Sequence, residues 1–170
     1  LIVTDSNPSE NSRDIVLMAD DWRLDEDWRF DEASLGSLHD WSHGGRLGNW
    51  LTINGQSRPE IPIPKTGLVR LRIINAANAR VLSFQFSRKA PMQIIALDGA
   101  PCVPFDTATL RLGPAQRADI IVQAGPDLGS LYEVSGGGNF EAARFISKPV
   151  SKSVLENISA SPWYSYPDIK

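Results

Sequence analysis

Residues 67–98, GLVRLRIINAANARVLSFQFSRKAPMQIIALD, leave this chain little freedom in what it folds into. Val69, Leu71 and Ile73 fall on one side of an extended backbone, while Arg70 and Arg72 fall on the other. Leu82, Phe84 and Phe86 then alternate with Val81, Ser83 and Gln85, and Met92–Leu97 is apolar on nearly both sides. A period of two, sustained over three runs rich in β-branched and aromatic residues, fits strands and not helices. A central β-sheet is therefore expected here.

The rest of the chain must supply partners for that sheet. Its 170 residues make one domain, or one domain with tails. A chain of this size buries about 70% of its unfolded surface, enough for a core without a metal or disulfide staple. Cys102 is the lone cysteine, so there is no internal disulfide framework. The net charge of −3 and the absence of any basic block argue against a nucleic-acid surface. No apolar run approaches the roughly 20 residues of a membrane span. Leu1 stands where an initiator Met would, and the expectation is a piece of a longer polypeptide.

In chain order, residues 1–3 resemble the end of a strand, and the polar, turn-rich residues 4–13 resemble a linker. Residues 14–19 form a short predicted strand. The hexapeptide DWRLDE (21–26) is followed at once by DWRFDE (27–32), an acidic stretch expected to be a surface loop. Residues 34–41 suit a helical turn or two. Trp50–Ile53 is a predicted strand, stopped by the Asn54-Gly55 turn signal. Pro59, Pro62 and Pro64 are expected to prevent ladder pairing before Gly67. After Asp98-Gly99, a turn holding Pro101 and Pro104 should lead into a strand over 107–112, with another at Arg117–Gln123. Weaker strands are expected at 131–135 and 144–147, around Gly136, Gly137 and Gly138. Residues 149–170 show no periodicity and are expected to be a linker or tail, leaving 14–148 as the domain. Eight to ten short strands at this spacing predict an all-β sandwich or Greek-key barrel with at most one or two short helices.

Four segments together carry a family resemblance: WLTINGQ (50–56), GLVRLRIINAANARVLSF (67–84), IIALDG (94–99) and LRLGPAQRADIIV (110–122). In order and spacing they resemble the middle cupredoxin-like domain of a multicopper oxidase. The likeness is greatest to the bacterial cuprous-oxidase and bilirubin-oxidase branch, which includes a copper-free cell-division relative. The opening LIVTD resembles the last strand of a preceding domain, and the resemblance covers roughly residues 1–125. Individual residues fit it physically. Asn54-Gly55 and Asp98-Gly99 suit tight turns. Asn75 and Asn78 bracket a bend where their amides can satisfy free backbone groups. Arg117 and Asp119 are placed to pair on the solvent face of their strand, while Arg70, Arg72 and Arg80 are candidates for surface or interdomain contacts.

The resemblance implies copper chemistry in an intact parent, so the ligand inventory decides what this piece can do. A blue copper site takes a cysteine thiolate, two histidines and usually an axial methionine. The family's trinuclear cluster takes paired H-x-H motifs from the first and last domains. Here the histidines are His39 and His43 alone, and no H-x-H or H-C-H occurs. No family copper ligand transfers to any position, so no catalytic, cofactor or metal residue is assigned. Cys102, in APCVP, reads as a structural thiol. His39 and His43, four apart, share a helical face but lack a third local ligand. The six carboxylates of residues 21–32 could attract cations or dock a neighbouring domain, but they lack the D-x-D-x-D-G pattern of a calcium loop. Gly136 to Gly138 lack the G-K-[ST] ending of a phosphate loop and suit a hairpin. Ser135 and Asp98 have no histidine partner to make a nucleophile. Trp163, Tyr164 and Tyr166 are candidate interface anchors.

The resemblance implies a scaffold domain without copper of its own, flanked by copper-bearing cupredoxin domains in a periplasmic or extracellular parent. The parent would oxidise cuprous ion, phenols or similar reductants and reduce dioxygen to water. Faces covered by those neighbours would be exposed here, and self-association through them is expected. The alternative is a domain of the copper-free cell-division relative. A more distant alternative is an autonomous sugar- or protein-binding sandwich.

Overall fold

The computed structural model describes residues 14–87 and 89–148. Two β-sheets face each other across one apolar core. The chain runs β1 (Asp14–Trp22), a 3₁₀ turn (Glu32–Ser34), α1 (Leu38–Ser42), β2 (Trp50–Ile53), β3 (Glu60–Pro64), β4 (Leu68–Asn75) and β5 (Leu82–Phe86). It continues through β6 (Met92–Leu97), β7 (Ala100–Thr107), β8 (Leu110–Leu112), β9 (Arg117–Gln123), β10 (Ser130–Glu133) and β11 (Phe140–Lys148). One sheet is ordered β2-β1-β4-β9-β6-β7, the other β3-β11-β10-β5-β8. The expected β-sandwich with short helices is what forms. Among the described residues no helix is long and apolar enough to cross a membrane.

Alternation decides which side of each strand is buried. Val69, Leu71 and Ile73 on β4 and Leu82 and Phe84 on β5 are fully excluded from solvent, with Phe86 nearly so. They meet Leu17, Ile53, Met92, Ile120 and Leu131 in a single core. Each such side chain contributes about 1.5–3 kcal/mol by leaving water. β4 lies between parallel β1 and antiparallel β9, so the most strongly patterned strand is also a central one.

Asn75 ends β4 and joins the two sheets. Its buried amide donates to the carbonyls of Arg80 (2.8 Å) and Leu112 (3.0 Å), while Oδ1 accepts the Ala77 N–H (3.0 Å). The bend expected between Asn75 and Asn78 is present, but Asn75 carries its hydrogen bonds. Asn54 and Asp98 adopt φ of 52° and 50°, each followed by a glycine at positive φ, as tight hairpin turns require.

Several boundaries differ from the sequence expectation, for identifiable reasons. Residues 60–64 do pair, as a parallel edge strand against β11. Pro62 and Pro64 alternate with Ile61 and Ile63, so the missing N–H groups point to the open edge, where nothing needs them. Pro101 and Pro104 likewise sit within a strand, β7, at the edge of the six-stranded sheet. The strand expected over 107–112 is split. A turn closed by Thr107 Oγ1, which donates to the Thr109 carbonyl (2.8 Å), carries the chain from β7 into the other sheet as β8. β1 runs on to Trp22 because Asp20, Asp21 and Trp22 pair with Thr52, Leu51 and Trp50. β10 and β11 are displaced from, or longer than, the expected strands, since each borrows its ladder from a neighbour already in the sheet. Residues 1–13 and 149–170, with the expected linker, tail and aromatic anchors Trp163, Tyr164 and Tyr166, lie outside the described residues.

Candidate functional site

The doubled hexapeptide is a hairpin. Its first copy leaves β1, its second returns, and Leu24 bridges Phe30. Asp25 Oδ1 accepts the N–H groups of Asp27 and Arg29, both at 2.9 Å, closing the tip, where Trp28 takes a φ of 62°. Trp28 packs edge-on against Trp50 at 4.9 Å, and Trp50 in turn meets Phe140 at 6.4 Å. Behind the hairpin, Arg23 reaches Asp31 (3.4 Å) and Asp40 (3.1 Å). Arg46 lies 4.8 Å over the Phe30 ring and donates to Ser34 Oγ (3.0 Å) and the Asp31 carbonyl (3.3 Å). Of the six acidic side chains in this stretch, Asp25 and Asp31 are thus occupied internally. Glu26, Asp27 and Glu32 make no ion pair among the described residues.

One polar node ties this lobe to the sandwich. The Asp21 carboxylate, 2% exposed, accepts from Gly48 N–H (2.6 Å) and Arg80 Nε (2.8 Å). Arg80 Nη2 also donates to the Gly48 carbonyl. A Cβ on residue 48 would lie 2.6 Å from the Asp21 carbonyl carbon, so only glycine lets this connection approach β1 so closely. Arg80, expected at the surface or between domains, is turned onto this buried carboxylate instead. No sequence motif announces the node, because its members are 27 and 59 residues apart.

The outer face of the six-stranded sheet holds a second ionic group. Arg70 pairs with Asp119, and Arg72 with Asp14. The pairing expected between Arg117 and Asp119 does not form. Across the β4–β9 ladder the Arg70 guanidinium reaches Asp119 first, and Arg117 Nη2 donates to the Asp98 carbonyl at 2.7 Å. Exposed Val16, Met18 and Leu68 lie on the same face of β1 and β4 as Arg70 and Arg72.

The candidate metal ligands are kept apart. His39 and His43 stack at 4.3 Å with ring planes 24° apart, and His43 Nδ1 lies 3.0 Å from the His39 carbonyl and 2.9 Å from Ser42 Oγ. Stacked rings aim their nitrogens side by side, not at one ion. α1 belongs to the β1–β2 connection at one edge of the six-stranded sheet, while Cys102 lies on β7 at the other edge. Among the described residues no three His, Cys, Asp or Glu side chains converge as a metal site. The donors present do not fit a blue copper centre. Gly136 to Gly138 form the β10–β11 hairpin turn, with Gly137 at φ 75°. The Ser135 N–H donates to Glu133 Oε1 at 2.9 Å.

Two carboxyls among the described residues are shifted. Burial lifts Asp20 above the usual range, with the neighbouring Asp21 charge adding to it. Glu141 is held low by hydrogen bonds from Arg144 and Ser130. A cavity of about 430 Å³ opens between the 3₁₀ turn, α1 and the Asn78 bend; sequence reasoning did not find it.

Known proteins place the fold. The multicopper oxidase family profile matches residues 13–144. The cell division protein FtsP of Edwardsiella tarda (strain FL6-60) is 36% identical over 123 residues, covering 69% of this chain and 25% of that protein. FtsP of Escherichia coli (strain K12) is 32% identical over 111 residues, covering 65% and 23%. The chain therefore spans about a quarter of the length of these curated relatives. Among solved structures, the laccase-like multicopper oxidase CueO of the lignin-degrading bacterium Ochrobactrum sp. superposes with a TM-score of 0.69 at 30% identity, covering 81% of this chain and 31% of that one. The multicopper oxidase of Pseudomonas thermotolerans, at 24% identity and a TM-score of 0.73 over 86% of this chain and 35% of its own, shares the fold. By profile, sequence and architecture alike, this chain belongs to the multicopper oxidase family as a cupredoxin-like domain.

Proposed function

We propose that the chain is a non-catalytic middle domain that holds two flanking cupredoxin domains of a longer parent at a fixed separation. The observation that carries this is the placement of the two histidines and the cysteine that a blue copper site would need. His39 and His43 sit beside one edge of the six-stranded sheet and Cys102 on the opposite edge. A scaffold needs a rigid core and outer faces suited to contact. The Arg70, Arg72, Asp14 and Asp119 group among exposed apolar side chains supports that use, as interdomain interfaces are more polar than obligate ones. In this reading copper belongs to the flanking domains of a periplasmic or extracellular parent. Oxidation of cuprous ion, phenols or similar reductants, with reduction of dioxygen to water, would be the parent's chemistry.

A second reading is favoured by the FtsP similarity, which at 32–36% identity supports a copper-free structural relative equally well. Both readings give this domain the same scaffold role.

The test has two stages. The isolated chain, titrated with copper and then desalted, is expected to retain no stoichiometric metal and to show no intense blue absorption. A blue one-copper species would overturn the scaffold reading. The full-length parent then separates the two versions, since copper retention with oxygen consumption supports the oxidase and their joint absence the copper-free relative. Light scattering of the isolated chain is expected to show self-association through the uncovered faces; a strict monomer at high concentration would count against it.

A further inference from the structure

We propose that the cavity between the 3₁₀ turn, α1 and the Asn78 bend is a binding site for a neutral saccharide. Its volume of about 430 Å³ lies within the usual range for small-ligand sites, roughly 300–1,000 Å³. Trp41 lines it, is 77% exposed, and has no ring partner among the described residues. An indole left bare beside a concavity is a platform for an apolar face. The rest of the wall is polar, and its chemistry narrows the ligand.

The charged groups of the wall are held from behind, each leaving one atom unused. Arg46 spends Nε and Nη2 on Ser34 and Asp31 and stacks on Phe30, which leaves Nη1 as a free donor. Asp40 gives Oδ2 to Arg23, which leaves Oδ1 as a free acceptor. The Asn78 amide makes no hydrogen bond among the described residues and offers both kinds. The Ser37 hydroxyl accepts the Asp40 N–H and keeps its own proton to give. Gly45 lets the wall close, since a Cβ there would stand 2.6 Å from the Ala79 Cβ. Arg46, Asp40 and Ser37 are fixed before any ligand arrives, so little ordering of these groups is left for binding to supply.

This set suits a pyranose, whose C–H face can lie on the indole while its hydroxyls both donate and accept. An anion would find Arg46 but also the Asp40 carboxylate in the same cavity. A cation would find a carboxylate already neutralised by Arg23. A flat apolar ligand would strip water from Arg46, Asp40 and Asn78 without replacing their hydrogen bonds. The site is independent of whether the parent carries copper.

The experiment is a titration of the 170-residue chain with cellobiose, followed by saturation-transfer NMR and isothermal calorimetry. Saturable binding is expected. Trp41→Ala should weaken it roughly ten-fold, the scale of one lost aromatic stack. Asn78→Ala should weaken it about five-fold, the scale of one hydrogen bond. Trp28→Ala, at another largely exposed tryptophan on the neighbouring hairpin, should leave affinity within about two-fold, the range of a surface change. Unchanged melting curves for Trp41→Ala would show that the loss is not misfolding. A signal that never saturates, equal losses for Trp28→Ala and Trp41→Ala, or displacement by inorganic phosphate would each overturn the assignment.

Discussion

The stretch 67–98 and the 23–49 connection between β1 and β2 are of similar length but are held by different physics. The first buries its large side chains, with Val69, Leu71, Ile73, Leu82, Phe84 and Met92 at zero exposure. The second leaves Trp28, Leu35, Leu38 and Trp41 more than half exposed and is pinned by polar contacts instead. Asp21, Arg23, Arg46 and Asn49 tie it to the sandwich and to itself. Burial is non-directional and accumulates with area, so it makes a scaffold. Polar pins are directional and few, so they can fix a site without filling it.

The largest effect that tests this contrast is in the core. Phe84→Ala should cost about 3–5 kcal/mol in denaturant unfolding, the usual range for a phenylalanine removed from a packed interior. A loss below about 1 kcal/mol, within the range of surface changes, would break the claim that this stretch carries the stability.

Next comes the polar node. Asp21→Ala removes the acceptor of Gly48 N–H and Arg80 Nε, and should cost about 2 kcal/mol, less than a fully buried pair because Arg80 is part-exposed. Hydrogen exchange at Gly48 and Asn49 should rise well before that of β4. Uniform loosening of both regions would mean that the lobe and the sandwich are one cooperative unit.

Leu38→Ser, in the exposed lobe, should change stability by less than about 0.5 kcal/mol. A larger loss would show that the lobe's apolar residues are covered in solution, as by a second copy.

The smallest effect is set by pH. The Glu141 carboxyl is lowered by Arg144 and Ser130, so its stabilisation is complete above its ordinary value of 4.5 and is lost as pH falls through the lowered folded value. Glu141→Gln should therefore reduce the fall in melting temperature between neutral pH and acid. An unchanged acid limb would remove Glu141 from the titrating set. Asp20 has the opposite sign: raised by burial, it favours the fold when protonated and opposes it as pH rises through its folded value.

The sequence by itself determined the class of fold and most of the strands. Trp50–Ile53, Met92–Leu97 and Arg117–Gln123 are strands from end to end, because short apolar, largely β-branched runs stop at turns that carry Gly, as the alternating runs of β4 and β5 stop at polar breaks. The same alternation separated core from surface on β4 and β5, since side-chain direction follows from local backbone geometry alone. Edge strands were harder to see. Pro62, Pro64, Pro101 and Pro104 signal broken ladders locally, and only the tertiary structure shows that they sit on edge strands, which pair on one side alone. Side-chain partners were least legible. Arg80 on Asp21, Arg70 on Asp119 and the Trp41 cavity join residues distant in the chain, and charge patterning carries no information on which carboxylate a guanidinium will reach. Burial patterns are written locally in the sequence, whereas directional contacts exist only once the sheets have brought their members together.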